Sequence, residues 1–187
     1  MPRWEPDARE RLVAAALTLF SEQGYDETTV AEIAEAAGLT KSTFHRHFPD
    51  KRDVLAAGQA TLTRLLAEGI AAAPSDATPL EAVREGLRRA AVAYRPDFAP
   101  RIAAVIASNA ELQERAALKH VGLAAAMAEA LLARGVPEPL ARLTAELGAL
   151  ALRQGFTAWA AGDAGEDLDP LVQRELDRLR DAAAGLR

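Results

Sequence analysis

The stretch from Thr28 to Lys51, TTVAEIAEAAGLTKSTFHRHFPDK, constrains this chain more than any other, because it packs two helix starts and one forced turn into 24 residues. Thr29-Val-Ala-Glu32 is a capping box, in which the Thr29 hydroxyl takes an orphan helix N–H and the Glu32 carboxylate returns to the Thr29 N–H. Val30, Ile33, Ala34 and Ala37 fall on one face of the helix that follows. The turn Ala37-Gly38-Leu39 ends it, and Thr40 caps a second helix. Phe44 and Phe48, four apart, commit one side of that second helix to a core. Lys41, Ser42, Thr43, His45 and His47 are left for other work. A short helix, a glycine turn and a second helix rich in small polar and basic residues is the arrangement that sets side chains into a DNA major groove.

The rest of the chain reads as helix after helix. A first helix is expected from Pro6-Asp7 to Gln23, buried through Leu12, Ala16, Leu19 and Phe20 and stopped at Gly24. Asp50 is expected to cap a fourth helix that runs without a linker through Val54, Leu55, Leu62 and Leu65 to Ala72. Thr78-Pro-Leu-Glu81 restarts a helix with a second capping box and proline at its first position. A short helix is expected from Pro100 to Ser108. Asn109 caps the next, which ends at Gly135. Pro137 opens a long helix to about Ala161, and Asp169-Pro170 opens the last. Nothing has the alternating pattern of a strand, so the expected fold is all-α, about nine helices in two domains. Residues 1–52 form a helix-turn-helix DNA-binding domain. Residues 53–187 are expected to form a second helical domain, entered through a connecting helix over 53–72.

Composition narrows the chemistry. There is no cysteine, which excludes disulfides, thiolate metal sites and cysteine nucleophiles. The three histidines are His45, His47 and His120, too few for a histidine metal site to be expected. No cofactor and no metal are expected. No apolar run of signal-peptide or membrane-span length is evident, so the expected location is cytoplasmic. The formal net charge of −5 argues against nucleic acid only if charge is averaged, since screening confines a field to about 10 Å in ordinary salt. Between Thr40 and Arg52, Lys41, Arg46, Lys51 and Arg52 face Asp50 alone.

At Gly38-Leu-Thr-Lys-Ser-Thr-Phe-His-Arg-His-Phe-Pro-Asp-Lys51 the chain closely resembles the TetR family of bacterial transcriptional regulators. Gly24-Tyr25 and Thr28-Thr29-Val30-x-x-Ile33-Ala34-x-x-Ala37-Gly38 extend the likeness upstream, and it covers about Arg9 to Leu55. One departure is His45, where the family usually has tyrosine. By resemblance, Lys41, Ser42, Thr43 and His45 match positions that reach bases, while Thr29, Thr40, His47 and Lys51 match phosphate-contacting positions. Lysine can donate to guanine O6 and N7, and a threonine methyl can pack on a thymine methyl. Each also has a structural reading: Thr29 and Thr40 as caps, Lys51 as a solvated cation, His47 as a packed core residue.

The resemblance implies a dimer that reads a palindromic double-stranded operator and responds to a small molecule, with the fourth helix coupling the two halves. The long helix near the C-terminus is apolar on two sides, which predicts a four-helix homodimer interface through Leu147, Ala151, Gly155, Leu171, Leu176 and Leu179. The competing reading keeps both faces inside one monomer. A hydrophobic effector is expected against Tyr94, Phe98, Met127, Phe156 and Trp159, oriented by His120 and Gln154, with Asn109, Gln113 and Arg153 as further polar candidates. Two other functions compete. An architectural or protein-interaction module would bind DNA without sequence preference. A small helical enzyme would need a nucleophile or metal motif that the chain lacks.

Overall fold

Helices make up all the regular structure of the computed structural model, which describes residues 8–55, 57–94, 99–162 and 167–185. Among these residues there are nine α-helices and one 3₁₀ turn. They are α1 (Ala8–Glu22), α2 (Val30–Ala36), α3 (Lys41–His47), the 3₁₀ turn Lys51–Val54, α4 (Gln59–Ala72), α5 (Pro79–Ala91), α6 (Ala99–Ser108), α7 (Ala110–Ala133), α8 (Glu138–Ala161) and α9 (Leu168–Ala184). The chain divides into two compact units, residues 1–57 with 101–116, and residues 58–100 with 117–187.

In the first unit the local signals are obeyed closely. Thr29 Oγ1 accepts from Glu32 N at 3.3 Å, and Glu32 Oε2 takes both the Thr29 N–H (2.7 Å) and the Thr29 hydroxyl (2.8 Å). Gly38 sits at φ +65°, in the left-handed region, where a β-carbon is strained. Arg11 closes that turn from α1 by donating to the Ala37 carbonyl. Leu12, Ala16, Phe20, Tyr25, Ile33, Ala34, Phe44, Phe48 and Val54 share one core, to which Val105 and Leu112 contribute. Residues 101–116 are held there by polar contacts too. Arg52 pairs with Glu111 at 3.0 Å, Arg115 with Asp53 at 3.4 Å, and Asn109 Nδ2 donates to Asp26 at 3.3 Å. The expected Asn109 cap is present, its Oδ1 accepting from Leu112 N at 3.2 Å.

The fourth helix corrects an expectation. It is not continuous from Asp50: Lys51–Val54 forms a 3₁₀ turn, and α4 starts only at Gln59, after Gly58 at φ +89°. All of α4 belongs to the second unit, whereas α7 supplies residues 110–116 to the first and 117–133 to the second. A membrane-span expectation also needs amending. α7 has the length and mean hydropathy (1.4 over its best window) of a membrane-crossing helix, and it exposes Leu118, Val121 and Leu132. Its other face is conventional core, through Leu123, Ala124, Met127 and Leu131.

Close helix approach organises the second unit. A β-carbon on Gly69 would lie 2.5 Å from Gly86 Cα, so α4 and α5 touch backbone to backbone. One on Gly155 would lie 2.8 Å from Val172 Cα, which makes the same kind of contact between α8 and α9. Thr78 and Glu81 form the second capping box at the start of α5. Arg134, at the end of α7, donates to the carbonyls of Ile70 (3.0 Å), Ala73 (2.8 Å) and Pro74 (2.6 Å). It thereby satisfies acceptors that the last turn of α4 leaves open.

Candidate nucleic-acid interface and effector site

Phe44 and Phe48 are 0% and 2% exposed, their rings 5.7 Å apart, so α3 is anchored by its aromatic side. The opposite side presents Lys41, Ser42, His45 and Arg46 to solvent, with Thr43 half-buried at the edge. Lys41 and Arg46 make no ion pair among the described residues, although most arginines elsewhere are paired with carboxylates. Two unpaired cations on an exposed polar helix face suit a polyanion. The sequence counts Arg46 in the basic stretch but no motif position gives it a contact role; its exposure on the face of Lys41 and His45 is what brings it forward.

The expected phosphate contacts fare differently. Lys51 is not a free cation. Its Nζ donates to the carbonyls of Tyr25 (2.6 Å), Asp26 (3.1 Å) and Thr28 (2.9 Å) and lies 4.4 Å from the Tyr25 ring centroid. An ammonium has three protons, and all three are used inside the fold. The Thr29 hydroxyl proton goes to Glu32. Thr40 Oγ1 accepts from Thr43 N at 3.1 Å and shares a hydrogen bond with Thr43 Oγ1 at 3.0 Å. His47 Nε2 is buried without a hydrogen-bond partner. Three of these four residues thus do structural work in the unbound protein.

The expected effector residues also separate. Tyr94, Phe156 and Trp159 form one aromatic cluster, with centroids 5.6 Å (Tyr94–Phe156), 6.5 Å (Tyr94–Trp159) and 6.1 Å (Phe156–Trp159) apart. Burial pushes the Tyr94 hydroxyl far above its ordinary range. Met127 is fully buried in the same core. His120 and its neighbour Lys119 are partly buried, and Lys119 Nζ stands 6.0 Å from the Tyr94 centroid. Gln154 does not join this group: it is exposed beside Arg153 and Thr157, in a shallow groove that Glu175 of α9 completes. Phe98 lies outside the described residues. Asn109 and Gln113 fall in the first unit, where they bond to local backbone.

The expected dimer residues need correction. Ala151 and Leu176 are 0% exposed and Leu171 is 7% exposed within a single chain. Gly155 is buried against Val172. These four are the α8–α9 seam of one monomer and have no surface to offer a partner. Leu147 and Leu179 remain half-buried. The uncovered stripe of α8 is Leu140 and Leu143, 45% and 57% exposed, continuing through half-buried Leu147 and Leu150.

An N-terminal three-helix core that presents a polar, cationic α3, joined to a larger helical unit, defines a helix-turn-helix protein. Residues 12–57 match the family model of the bacterial regulatory proteins, tetR family. Over that segment the chain is similar to the tetR family regulators. It is 35% identical over 80 residues to the regulator TcmR of Streptomyces glaucescens, covering 43% of this chain and 35% of TcmR. It is 38% identical over 112 residues to BetI of Rhizobium meliloti (strain 1021), covering 58% of this chain and 54% of BetI. The chain therefore spans between about a third and about half the length of these relatives. Among solved structures, FadR of Thermus thermophilus, a TetR family transcriptional repressor in complex with lauroyl-CoA, is similar over 92% of this chain and 93% of its own, with 28% identity and a TM-score of 0.50. The SmeT–triclosan complex shares the fold over 95% of this chain and 91% of its own, at 19% identity and a TM-score of 0.65.

Proposed function

We propose that the protein is a cytoplasmic, dimeric transcriptional repressor that binds a palindromic operator through α3 and is released by a small, largely apolar effector bound in the second unit. The observation that carries this reading is α3 itself, a helix fixed by two buried phenylalanines that turns Lys41, Ser42, His45 and Arg46 outward. Lys41, Ser42, Thr43 and His45 are the base-contacting set. Arg46 and His47 are assigned to phosphates, with the helix caps at Thr29 and Thr40 offering backbone N–H groups. The Leu140–Leu143–Leu147–Leu150 stripe is assigned as the pairing surface, and a dimer on a palindrome reads successive major grooves about 34 Å apart. The likeness to a repressor solved with lauroyl-CoA supports an apolar effector against the Tyr94–Phe156–Trp159 cluster. α7, which supplies residues to both units, replaces α4 as the route of coupling, for which about 1–3 kcal/mol is typical.

Selection of bound fragments from a random DNA pool tests the reading. The repressor predicts one enriched two-fold symmetric site with half-sites about ten base pairs apart. Binding without enrichment would favour the architectural module.

A further inference from the structure

Lys119 and His120 carry polarity that the second unit does not use. His120 Nδ1 is buried with no hydrogen-bond partner. Lys119 makes no ion pair among the described residues; its closest recorded contact is the face of Tyr94, 6.0 Å away. The charges acting on His120 are those of Lys119 and of Arg153 on α8, both positive, with no carboxylate among them. Arg153 too makes no ion pair among the described residues. Arg153 is exposed on α8, where it lines a groove with Glu175, whereas neither Lys119 nor His120 has an acid partner among the described residues. Burying an imidazole nitrogen unpaired, beside a partly buried ammonium, is costly. Tyr94, whose face Lys119 approaches, belongs to the aromatic cluster with Phe156 and Trp159.

We infer that Lys119 and His120 form an anion subsite at the edge of that cluster, so that the effector is an apolar molecule carrying one negatively charged oxygen group. The apolar body packs on Tyr94, Phe156 and Trp159. The anionic oxygens accept hydrogen bonds donated by Lys119 Nζ and His120 Nδ1, and Arg153 adds positive potential. Burial holds both basic groups below their ordinary ranges, and a bound anion reverses that penalty by favouring their charged forms. The inference rests on the reading of the second unit as an effector domain and names the effector's class.

The test uses the full chain carrying Trp4→Phe, which leaves Trp159 as the sole tryptophan. Its emission is titrated with octanoate, 1-octanol and octylammonium. Octanoate is expected to bind at least about tenfold more tightly than 1-octanol, with octylammonium weakest. Lys119→Met abolishes that preference, Lys119→Arg keeps most of it, and His120→Gln reduces it, all with unchanged helical circular dichroism. Equal binding of octanoate and 1-octanol, a preference that survives Lys119→Met, or no response to octanoate up to about 5 mM would overturn the anion subsite. Operator binding is measured without ligand on the same preparations. If it is intact while the preference is absent, the subsite alone fails; if it is lost, the regulator reading fails.

Discussion

Lys51 shows how a residue type in the right motif position can be spoken for by the fold. Its three protons go to carbonyls in the turn between α1 and α2, so its first duty is to hold that turn. Lys51→Met is expected to lower the stability of the first unit by about 1–3 kcal/mol, the usual cost of losing hydrogen bonds to a charged donor. It leaves the salt dependence of DNA binding almost unchanged. Arg46→Ala does the reverse: thermal stability stays within about 0.5 kcal/mol, while the slope of log affinity against log salt falls by about two for the proposed dimer, about one per protomer. Melting curves and salt titrations of the two variants separate the roles. The sequence could not reveal this division, because the carbonyls of Tyr25, Asp26 and Thr28 lie more than twenty residues from Lys51 and meet it only when the unit folds. His120 is a second case. Burial first, then Lys119 and Arg153, hold its pKa below the ordinary histidine value. The unfolded chain therefore takes up a proton near pH 6.5 that the folded chain refuses, and stability falls as pH falls through that value. His120→Gln is expected to flatten the change in Tm between about pH 7.5 and about pH 5.5.

At the scale of elements, what could be read in advance was what is decided within a few residues. Both capping boxes and the Asn109 cap depend on side chains three positions from their partners, and all three are present. The break before α4 was not legible, because Val54, Leu55, Leu62 and Leu65 hold helical spacing across it, and only the backbone of Gly58 reveals the turn. The close crossings were equally hidden, since glycine in a helix signals nothing about which backbone will approach it. These two kinds of glycine respond differently to a methyl group. At Gly58 a β-carbon meets no atom within 4 Å, so Gly58→Ala costs only the left-handed conformation, about 1–2 kcal/mol. At Gly69 it meets the backbone of α5 at 2.5–2.9 Å. Gly69→Ala therefore has to push α4 off α5, with an overpacking cost of about 1–3 kcal/mol or more and a shift in near-ultraviolet circular dichroism that Gly58→Ala lacks.

For the whole molecule, the sequence showed that α8 is apolar on two sides but not which side the chain covers for itself. The seam at Ala151, Gly155, Leu171 and Leu176 is internal, which leaves Leu140 and Leu143 as the exposed members of the proposed pairing stripe. Leu143→Glu is expected to give a folded monomer by analytical ultracentrifugation with weakened operator binding, because each half-site is then held by a single α3. The central claim is that the outward face of α3 reads base sequence. A footprint on the selected palindrome, at moderate salt, tests it most directly, comparing the natural chain with the double variant Lys41→Ala/Thr43→Ala. The account predicts one protected symmetric site that disappears in the double variant, while its helical circular dichroism and Tm stay those of the natural chain. Equal protection by both proteins would contradict it.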